Sequence, residues 1–213
     1  MKMSNYKILF QGDSITDSGR MLDTTAGFPQ HGLGPGYPSI ITGKLQLAYP
    51  QIEFENSNRG ISGNNIYHLY SRWRREALDL APDMLSMLIG INDSALESRT
   101  AEYGKDPLSF GDVYRALLSW CRKINPDIRF VLLEPFLLPA NDEHKSWLPA
   151  LQERQSELRK IAKEFDADFI DLQRIFDEAC TVKPAAFWSA DGVHPSLAGH
   201  HLIANAWCEK VKF

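Results

Sequence analysis

A serine directly after a short apolar segment is the first residue that could do chemistry. Ser14 lies in the sequence Gly-Asp-Ser-Ile-Thr, and the segment before it is typical of a buried strand. A serine hydroxyl is a poor nucleophile unless a neighbouring base removes its proton. On its own, Ser14 is equally well explained as a helix cap or a turn residue. The sequence has no G-x-S-x-G, so the nucleophile elbow of α/β-hydrolases is absent.

A base for Ser14 is available near the other end of the chain. Asp191 and His194 stand three residues apart in the sequence Asp-Gly-Val-His, just before a predicted helix. In a turn, this spacing can place the carboxylate against Nδ1 of the imidazole and leave Nε2 facing outward as the base. The alternative is a surface turn with a capping aspartate, because Asp-Gly is a common turn sequence. The Asp191–His194 spacing indicates a catalytic base only in combination with a nucleophile such as Ser14.

Acyl transfer also needs donors that point at the oxyanion of the transition state, and losing one typically costs about 3–4 kcal/mol. Three candidates are the backbone N–H of Ser14, the backbone N–H of Gly63 and the side-chain amide of Asn92. The alternative for Gly63 is a simple turn glycine. The alternative for Asn92 is an Asx turn that closes a strand.

Short apolar segments alternate with helical patterns along the chain. We predict five strands, at Tyr6–Phe10, Ile52–Glu55, Met84–Ile89, Phe130–Leu133 and Asp168–Leu172. Helices are predicted at Tyr37–Ala48 and Asn65–Leu80, on the apolar stripes Val113–Ile124 and Leu151–Phe165, and after Pro195 with Ser196 as the N-cap. The alternation predicts an α/β protein with parallel strands and helices on both faces of the sheet. Two segments are predicted to be irregular, Ser18–Pro38 and Pro135–Pro149.

Polar turns that carry glycine follow each of the first three predicted strands. They lie at Gly12–Ser14, Asn58–Gly63 and Gly90–Asp93. Open parallel sheets bind ligands beyond the carboxyl ends of their strands. We therefore expect the three turns to meet at one edge of the sheet, and this convergence is the main argument from the residues for a site there.

The composition narrows the class of protein. With 213 residues, of which 44% are hydrophobic and 23% charged, the chain suits one globular domain over residues 1–213. A net charge of −4 without a basic run argues against nucleic acid and membranes as partners. Three cysteines without a C-x-x-C pair fit a reducing compartment, and no apolar run approaches the length of a membrane span. The N-terminus shows no signal-peptide pattern, so we expect a cytoplasmic protein.

Other residues could contact a polar substrate near these turns. Tyr37, Arg59 and Trp188 are candidates, because aromatic rings pack well against sugar faces and arginine binds polar groups. The alternative for Trp188 is an anchor for its loop or an oligomer contact, and Arg59 could simply hold its own loop. His200 and His201 lack the i, i+4 spacing of metal ligands on a helix, so we expect no metal.

Four sequence blocks, GDSIT, NRGISGN, GIND and DGVHPS, resemble in order and spacing the four blocks of SGNH hydrolases, also called GDSL-like hydrolases. The resemblance implies Ser14 as the nucleophile, His194 as the base and Asp191 as the partner of that base. It also implies that Gly63 and Asn92 act with the Ser14 N–H as oxyanion donors.

The same resemblance implies the fold. SGNH hydrolases have a three-layer α/β/α, flavodoxin-like architecture with a five-stranded parallel sheet in the order 2-1-3-4-5. The implied fold agrees with the alternation of strands and helices. Gly60 could compete with Gly63 as an oxyanion donor, but the resemblance favours Gly63, because the family glycine closes an N-x-x-x-S-G run.

Over nearly its whole length the chain resembles intracellular bacterial acetylxylan esterases of this family. The segments GDSITDSGR, GPGYP, NRGISGN, IGIND and VHPSLAGH carry that resemblance. It implies a serine esterase that hydrolyses short-chain esters, acetyl esters in particular, on carbohydrate such as acetylated xylo-oligosaccharides. It further implies an acyl-enzyme intermediate, no cofactor or metal, and a cytoplasmic homo-oligomer.

Two alternatives stay open. A lysophospholipase or a thioesterase of the SGNH type would have the same blocks but would act on other acyl groups. A non-catalytic flavodoxin-like module would bind a nucleotide or a phosphate at the turns. The second alternative leaves the Asp191–His194 pair and Asn92 without roles, and the sequence contains no G-x-x-x-x-G-K-[ST].

Overall fold

The polypeptide forms a parallel five-stranded sheet. The computed structural model describes residues 4–22, 32–100 and 108–213. The strands are β1 (Ser4–Gly12), β2 (Ile52–Asn58), β3 (Met84–Leu88), β4 (Arg129–Leu133) and β5 (Asp168–Ile170). They are hydrogen-bonded in the order β2-β1-β3-β4-β5, and each of these pairs is parallel. The predicted fold class and strand order are therefore confirmed.

Helices connect the strands. They are α1 (Ser14–Asp17), α2 (Tyr37–Ala48), α3 (Ile66–Glu76), α4 (Ile91–Thr100), α5 (Phe110–Ile124), α6 (Asp142–Glu164), α7 (Leu172–Cys180), α8 (Ala185–Trp188) and α9 (Leu197–Lys210). A 3-10 turn at Leu78–Leu80 follows α3. No helix within the described residues is long and apolar enough to span a membrane. The predicted irregular segment Ser18–Pro38 includes residues 23–31, which lie outside the described residues.

Helices cover both faces of the sheet. Successive strand residues point to opposite faces, so Ile8 and Phe10 of β1 join one core cluster while Leu9 joins the other. The first cluster contains buried residues from α2, α7 and α9, and the second contains buried residues from α3 and α5. α6 contributes Leu151 to the first cluster and Leu158 to the second. The result is the three-layer α/β/α arrangement.

Several element boundaries follow directly from capping residues. α2 has its predicted bounds, and Ser196 caps α9 as predicted, because its side chain accepts a hydrogen bond from the Gly199 N–H. β5 ends at Ile170, earlier than predicted. The reason is that Asp171 already caps α7, with its side chain accepting from the Arg174 N–H.

The prediction that Pro135–Pro149 is irregular is wrong for the second half of that segment. α6 begins at Asp142 and runs through Pro149 without a break. Proline lacks an N–H and usually ends a helix. Here Asn141 caps the helix start by accepting the His144 N–H at 2.8 Å, and the turn before the proline buries Trp147 in the core. The cap and the burial outweigh the one helix hydrogen bond that Pro149 removes.

The register of the sheet sets the position of the turns that follow β1, β2 and β3. Phe10 pairs with Asn58 across β1 and β2, and Gly12 pairs with Leu88 across β1 and β3. The carboxyl ends of the three strands therefore lie close to one level along the same edge of the sheet. The three polar segments start from this edge, as the sequence predicts, but most of the third is helical, because α4 begins at Ile91.

The end of β1 is tightly packed, and we expect Gly12→Ala to destabilise the protein. A Cβ at this position would collide with the Leu88 carbonyl oxygen and with Thr16 Oγ1. Overpacking of this kind costs about 1–3 kcal/mol, which urea unfolding can measure.

Gly43→Ala is the matched control for Gly12→Ala. Gly43 is exposed within α2, and among the described residues no atom lies within 4 Å of a Cβ added there. Alanine there should be neutral or stabilise the fold by up to about 1 kcal/mol. Equal free energies of unfolding for the two variants would contradict this account of the strand end.

Candidate active site

Ser14, His194 and Asp191 form a continuous chain of hydrogen bonds. The distance from Ser14 Oγ to His194 Nε2 is 2.9 Å, and the distance from His194 Nδ1 to Asp191 Oδ2 is 2.6 Å. The two later residues come from the loop between α8 and α9, while Ser14 begins α1 directly after β1. The fold thus brings Ser14 to the Asp191–His194 pair, from which it is separated by most of the sequence. The side chains of His194 and Asp191 are 53% and 56% exposed, so a ligand can reach them from solvent.

The hydrogen bonds of Asp191 determine how the chain is protonated. Partial burial alone would raise the pKa of Asp191, but hydrogen bonds from the His194 side chain and from the His194 and Val193 N–H groups lower it to about 2. The carboxylate is therefore ionised at neutral pH, and it accepts the proton that His194 carries on Nδ1. This tautomer leaves Nε2 of His194 unprotonated, so the Ser14 hydroxyl donates to it.

The α8–α9 loop is held by its own polar groups. Asp191 Oδ1 accepts from the Val193 and His194 N–H groups at 2.9 and 2.8 Å. Buried Ser189 donates its hydroxyl proton to the His194 carbonyl oxygen at 2.9 Å. Ser189 was not among the site residues predicted from the sequence. Its position two residues before Asp191 was the only available signal, and a serine in a loop is too common to be informative alone.

Two aspartates within the sequence blocks GDSIT and GIND hold the backbone of the site. Asp13 caps α1, and its Oδ1 accepts the Ile15 N–H at 3.0 Å. Asp93 Oδ1 accepts the Ile66 N–H at 3.0 Å and so links α4 to the start of α3. Burial raises the pKa of Asp13 to about 7, against the lowering effect of the Ile15 hydrogen bond. Asp13 therefore supports the position of Ser14 through the backbone of α1.

The turn after β2 is joined to the turns after β1 and β3. The Ile61 N–H donates to the Gly12 carbonyl oxygen at 3.2 Å, and the Asn92 side-chain amide donates to the Asn64 carbonyl oxygen at 2.9 Å. Gly63 lies between these contacts, is exposed, and has φ +77, a conformation that L side chains rarely adopt. The structure thus brings the three predicted oxyanion donors to adjoining segments, with Ser14 at the start of α1, Gly63 in the turn before α3 and Asn92 in the first turn of α4.

Gly60 is less suited than Gly63 to bind an oxyanion. It is buried, and its N–H already donates to Asn58 Oδ1 at 2.9 Å. The same Asn58 side chain donates to the Thr16 carbonyl oxygen at 2.6 Å, which ties this turn to α1. The geometry therefore favours Gly63 as the donor in this turn.

The prediction that Tyr37 contacts substrate is wrong. Its side chain is fully buried, and its hydroxyl is hydrogen-bonded to Thr16 Oγ1 at 2.9 Å. Its backbone N–H donates to Nδ1 of His200, which is also buried. Sequence spacing placed Tyr37 near the site but could not show that its ring faces the core beneath α1.

Arg59 and Trp188 stay predictions as substrate contacts. Arg59 is partly exposed and lies 3.5 Å from Glu76 as an ion pair. The indole N–H of Trp188 donates to the Ala179 and Lys183 carbonyl oxygens at 3.1 and 3.3 Å, so it holds α7 and α8 together. Only the exposed part of the Trp188 ring is left for a ligand.

Within residues 4–22, 32–100 and 108–213, no group of three or more His, Cys, Asp or Glu side chains could hold a metal ion.

Comparison with known proteins identifies the family. Residues 10–202 match the GDSL-like lipase/acylhydrolase family. The chain belongs to this family. The resemblance of the four sequence blocks is thereby confirmed, and the enzyme is a carboxylic ester hydrolase. An acetylxylan esterase from Geobacillus stearothermophilus is 35% identical over 214 residues, which cover 99% of this chain and 95% of the relative.

Solved structures of two relatives have the same fold as the enzyme. A GDSL-like lipase from Parabacteroides merdae has a TM-score of 0.87 and 37% identity, covering 97% of this chain and 95% of that chain. A variant of the acetylxylan esterase from Geobacillus stearothermophilus has a TM-score of 0.81 and 32% identity, covering 100% and 98%. Further structures of that esterase are of catalytic mutants, in which a serine, a histidine or an aspartate is replaced by alanine.

Proposed function

We propose that the enzyme removes acetyl groups from carbohydrate esters, acetylated xylo-oligosaccharides in particular, with Ser14 as the nucleophile. The observation that carries the proposal is the hydrogen-bond chain from Ser14 through His194 to Asp191. The catalytic mutants of the Geobacillus stearothermophilus esterase affect the same three residue types. That relative is described as an acetyl-xylooligosaccharide esterase, which supports the choice of substrate.

The first half of the reaction forms an acyl-enzyme. Ser14 Oγ attacks the ester carbonyl carbon while its proton passes to Nε2 of His194, 2.9 Å away. Ionised Asp191 stabilises the imidazolium that results. The tetrahedral intermediate then breaks its bond to the sugar oxygen, which takes the proton from His194. The products of this half are the deacetylated sugar and an acetyl group on Ser14.

The second half returns the enzyme to its starting state. A water molecule attacks the acetyl carbonyl carbon as His194 Nε2 takes one of its protons. Collapse of the second tetrahedral intermediate breaks the bond to Ser14 Oγ, and His194 returns the proton to that oxygen. Acetic acid leaves and ionises in solution. The bonds formed and broken in these steps involve only the ester, water and the Ser14 and His194 side chains.

In both halves the oxyanion is bound by the N–H of Ser14, the N–H of Gly63 and the amide of Asn92. The Asn92 nitrogen carries two hydrogens, and one of them donates to the Asn64 carbonyl oxygen. This bond fixes the plane of the amide and leaves the second hydrogen for the ligand. Donors that are oriented before the reaction need no reorganisation when charge develops.

The acyl and sugar preferences test the proposed substrate. We expect kcat/KM for p-nitrophenyl acetate to exceed that for the octanoate by more than about tenfold, because a site shaped for acetyl has no room for a longer chain. Acetate should also be released from acetylated xylo-oligosaccharides, measured with an acetate-specific assay. A blank with Ser14→Ala corrects for spontaneous hydrolysis.

The opposite order of acyl esters would contradict the acetyl proposal and favour a lysophospholipase or a thioesterase. Rapid turnover of p-nitrophenyl acetate without acetate release from any acetylated xylo-oligosaccharide would contradict the proposed sugar substrate. It would still support the acetylesterase activity. The cytoplasmic location and the homo-oligomeric assembly stay predictions.

A further inference from the structure

Arg72 reaches from α3 to two of the turns that form the site. Its Nε–H donates to Asn64 Oδ1 at 2.9 Å, and an Nη2–H donates to the Gly12 carbonyl oxygen at 3.4 Å. Gly12 ends β1 two residues before Ser14, and Asn64 directly follows Gly63. One guanidinium group therefore joins the nucleophile turn to the turn that carries an oxyanion donor.

Asn64 extends this connection to the third turn. Its side chain accepts from Arg72, while its backbone carbonyl oxygen accepts from the Asn92 side-chain amide. A shift of Asn64 would therefore move both the Gly63 N–H next to it and the Asn92 amide bonded to it. Small displacements matter here, since a misplacement of about 1 Å can cost about 10²-fold in rate.

The surroundings of Arg72 are unfavourable for a positive charge. Burial lowers the pKa of Arg72 to about 10; Glu76 opposes this effect, while the charges of Arg20 and Arg59 add to it. Arg74 lies two residues further along α3, and its side chain is 87% exposed. Arg74 therefore keeps its charge in solvent, whereas the charge of Arg72 is partly buried. The hydrogen bonds to Asn64 and Gly12 are what distinguish Arg72 from Arg74.

We propose that Arg72 is a positioning residue that holds the oxyanion hole in its reactive geometry through Asn64. The inference rests on the proposed function, because it assumes that Gly63 and Asn92 bind the oxyanion. Arg72 itself does not touch the ester. It predicts that Arg72 acts on kcat, since a displaced oxyanion hole weakens binding of the transition state more than binding of the substrate.

The first test replaces Arg72 with methionine, which keeps the length of the side chain and removes its donors. We expect kcat for p-nitrophenyl acetate to fall about 10–100-fold, with KM changed less than about threefold. Arg74→Met is the matched control on the same helix and should keep the wild-type kcat. Arg72→Lys should recover part of the activity, because an ammonium group can reach one of the two acceptors but not both.

A double-mutant cycle separates positioning from general destabilisation. If Arg72 acts through the oxyanion hole, Arg72→Met should cost several-fold less in kcat when Asn92→Ala is already present than it does in the wild type, because one of the two donors that Arg72 positions is then already lost. A full, additive loss in that background would overturn the inference, as would a wild-type kcat in Arg72→Met. If Arg72→Met does not fold, the cycle is run with Arg72→Lys, and additivity there has the same meaning. A wild-type chain without esterase activity would instead overturn the proposed function.

Discussion

Replacing Ser14 with alanine is expected to lower kcat/KM for an acetate ester by about 10⁴-fold or more, while the protein stays folded. The hydroxyl of Ser14 is hydrogen-bonded to Nε2 of His194. Alanine removes the attacking atom and leaves the backbone of α1 in place. The residual rate would come only from oxyanion binding and from water. Initial rates with p-nitrophenyl acetate, together with a thermal unfolding curve, measure both parts of this prediction.

Ser71→Ala is the matched control for the loss of a serine hydroxyl. Ser71 is exposed on α3, and its hydroxyl donates to the His68 carbonyl oxygen of the same helix. This variant should keep the wild-type kcat/KM. Substantial turnover by Ser14→Ala, at the same melting temperature as the wild type, would show that another residue is the nucleophile.

Replacing Asp191 with asparagine is expected to lower kcat by roughly 10³–10⁴-fold, the size of loss that follows when the histidine of a Ser-His-Asp triad takes the wrong tautomer. Asparagine can still accept the Val193 and His194 N–H bonds through one oxygen, so the loop keeps its shape. Its amide nitrogen cannot accept the proton on His194 Nδ1. The imidazole would then carry its proton on Nε2, which cannot take the Ser14 proton.

The pH dependence adds a second readout for Asp191. Its folded pKa of about 2 lies below the ordinary value of about 3.9, so the carboxylate is ionised throughout pH 5–9. Titration of Asp191 should therefore contribute no limb to the kcat profile in that window, and the defect of Asp191→Asn should persist at every pH within it. A defect that disappears at one end of the window would contradict the tautomer explanation.

Asp79→Asn controls for the loss of an exposed negative charge. The side chain of Asp79 is as exposed as that of Asp191, and its ion pair with Arg74 is long, at 3.8 Å. We expect wild-type kcat for this variant, because an exposed pair contributes little. If Asp191→Asn stays within about tenfold of the wild type, the carboxylate does not set the tautomer of His194.

The convergence of the site could be predicted because it depends on topology alone. Parallel strands end at one edge of the sheet, so residues after β1, β2 and β3 had to come together. The Asp191–His194 pair was visible because its two members are only three residues apart. That this pair reaches Ser14 required the three-dimensional fold, since 180 residues separate the Ser14 and His194 side chains.

What the sequence could not predict depends on contacts between distant elements. Tyr37 lies at the start of α2, and its burial follows from the packing of α2 against β2 and α9 and from the contact of its ring with Phe10 of β1. The start of α6 was missed because Pro149 closed a segment that was predicted to be irregular, whereas the Asn141 cap and the burial of Trp147 allow the helix to begin at Asp142. Arg72 lies among several arginines of one helix, and only the position of the turns shows which of them points at the site.

Covalent labelling of the nucleophile tests the central claim most directly. A fluorophosphonate reacts when an activated serine oxygen attacks phosphorus and fluoride leaves, which adds one stable group per active site. Mass spectrometry of the labelled wild-type chain should show a single adduct on the peptide that contains Ser14. The adduct should be missing from Ser14→Ala and should form far more slowly in His194→Ala. An adduct on a different residue that abolishes activity, or continued hydrolysis by the fully labelled chain, would contradict the account.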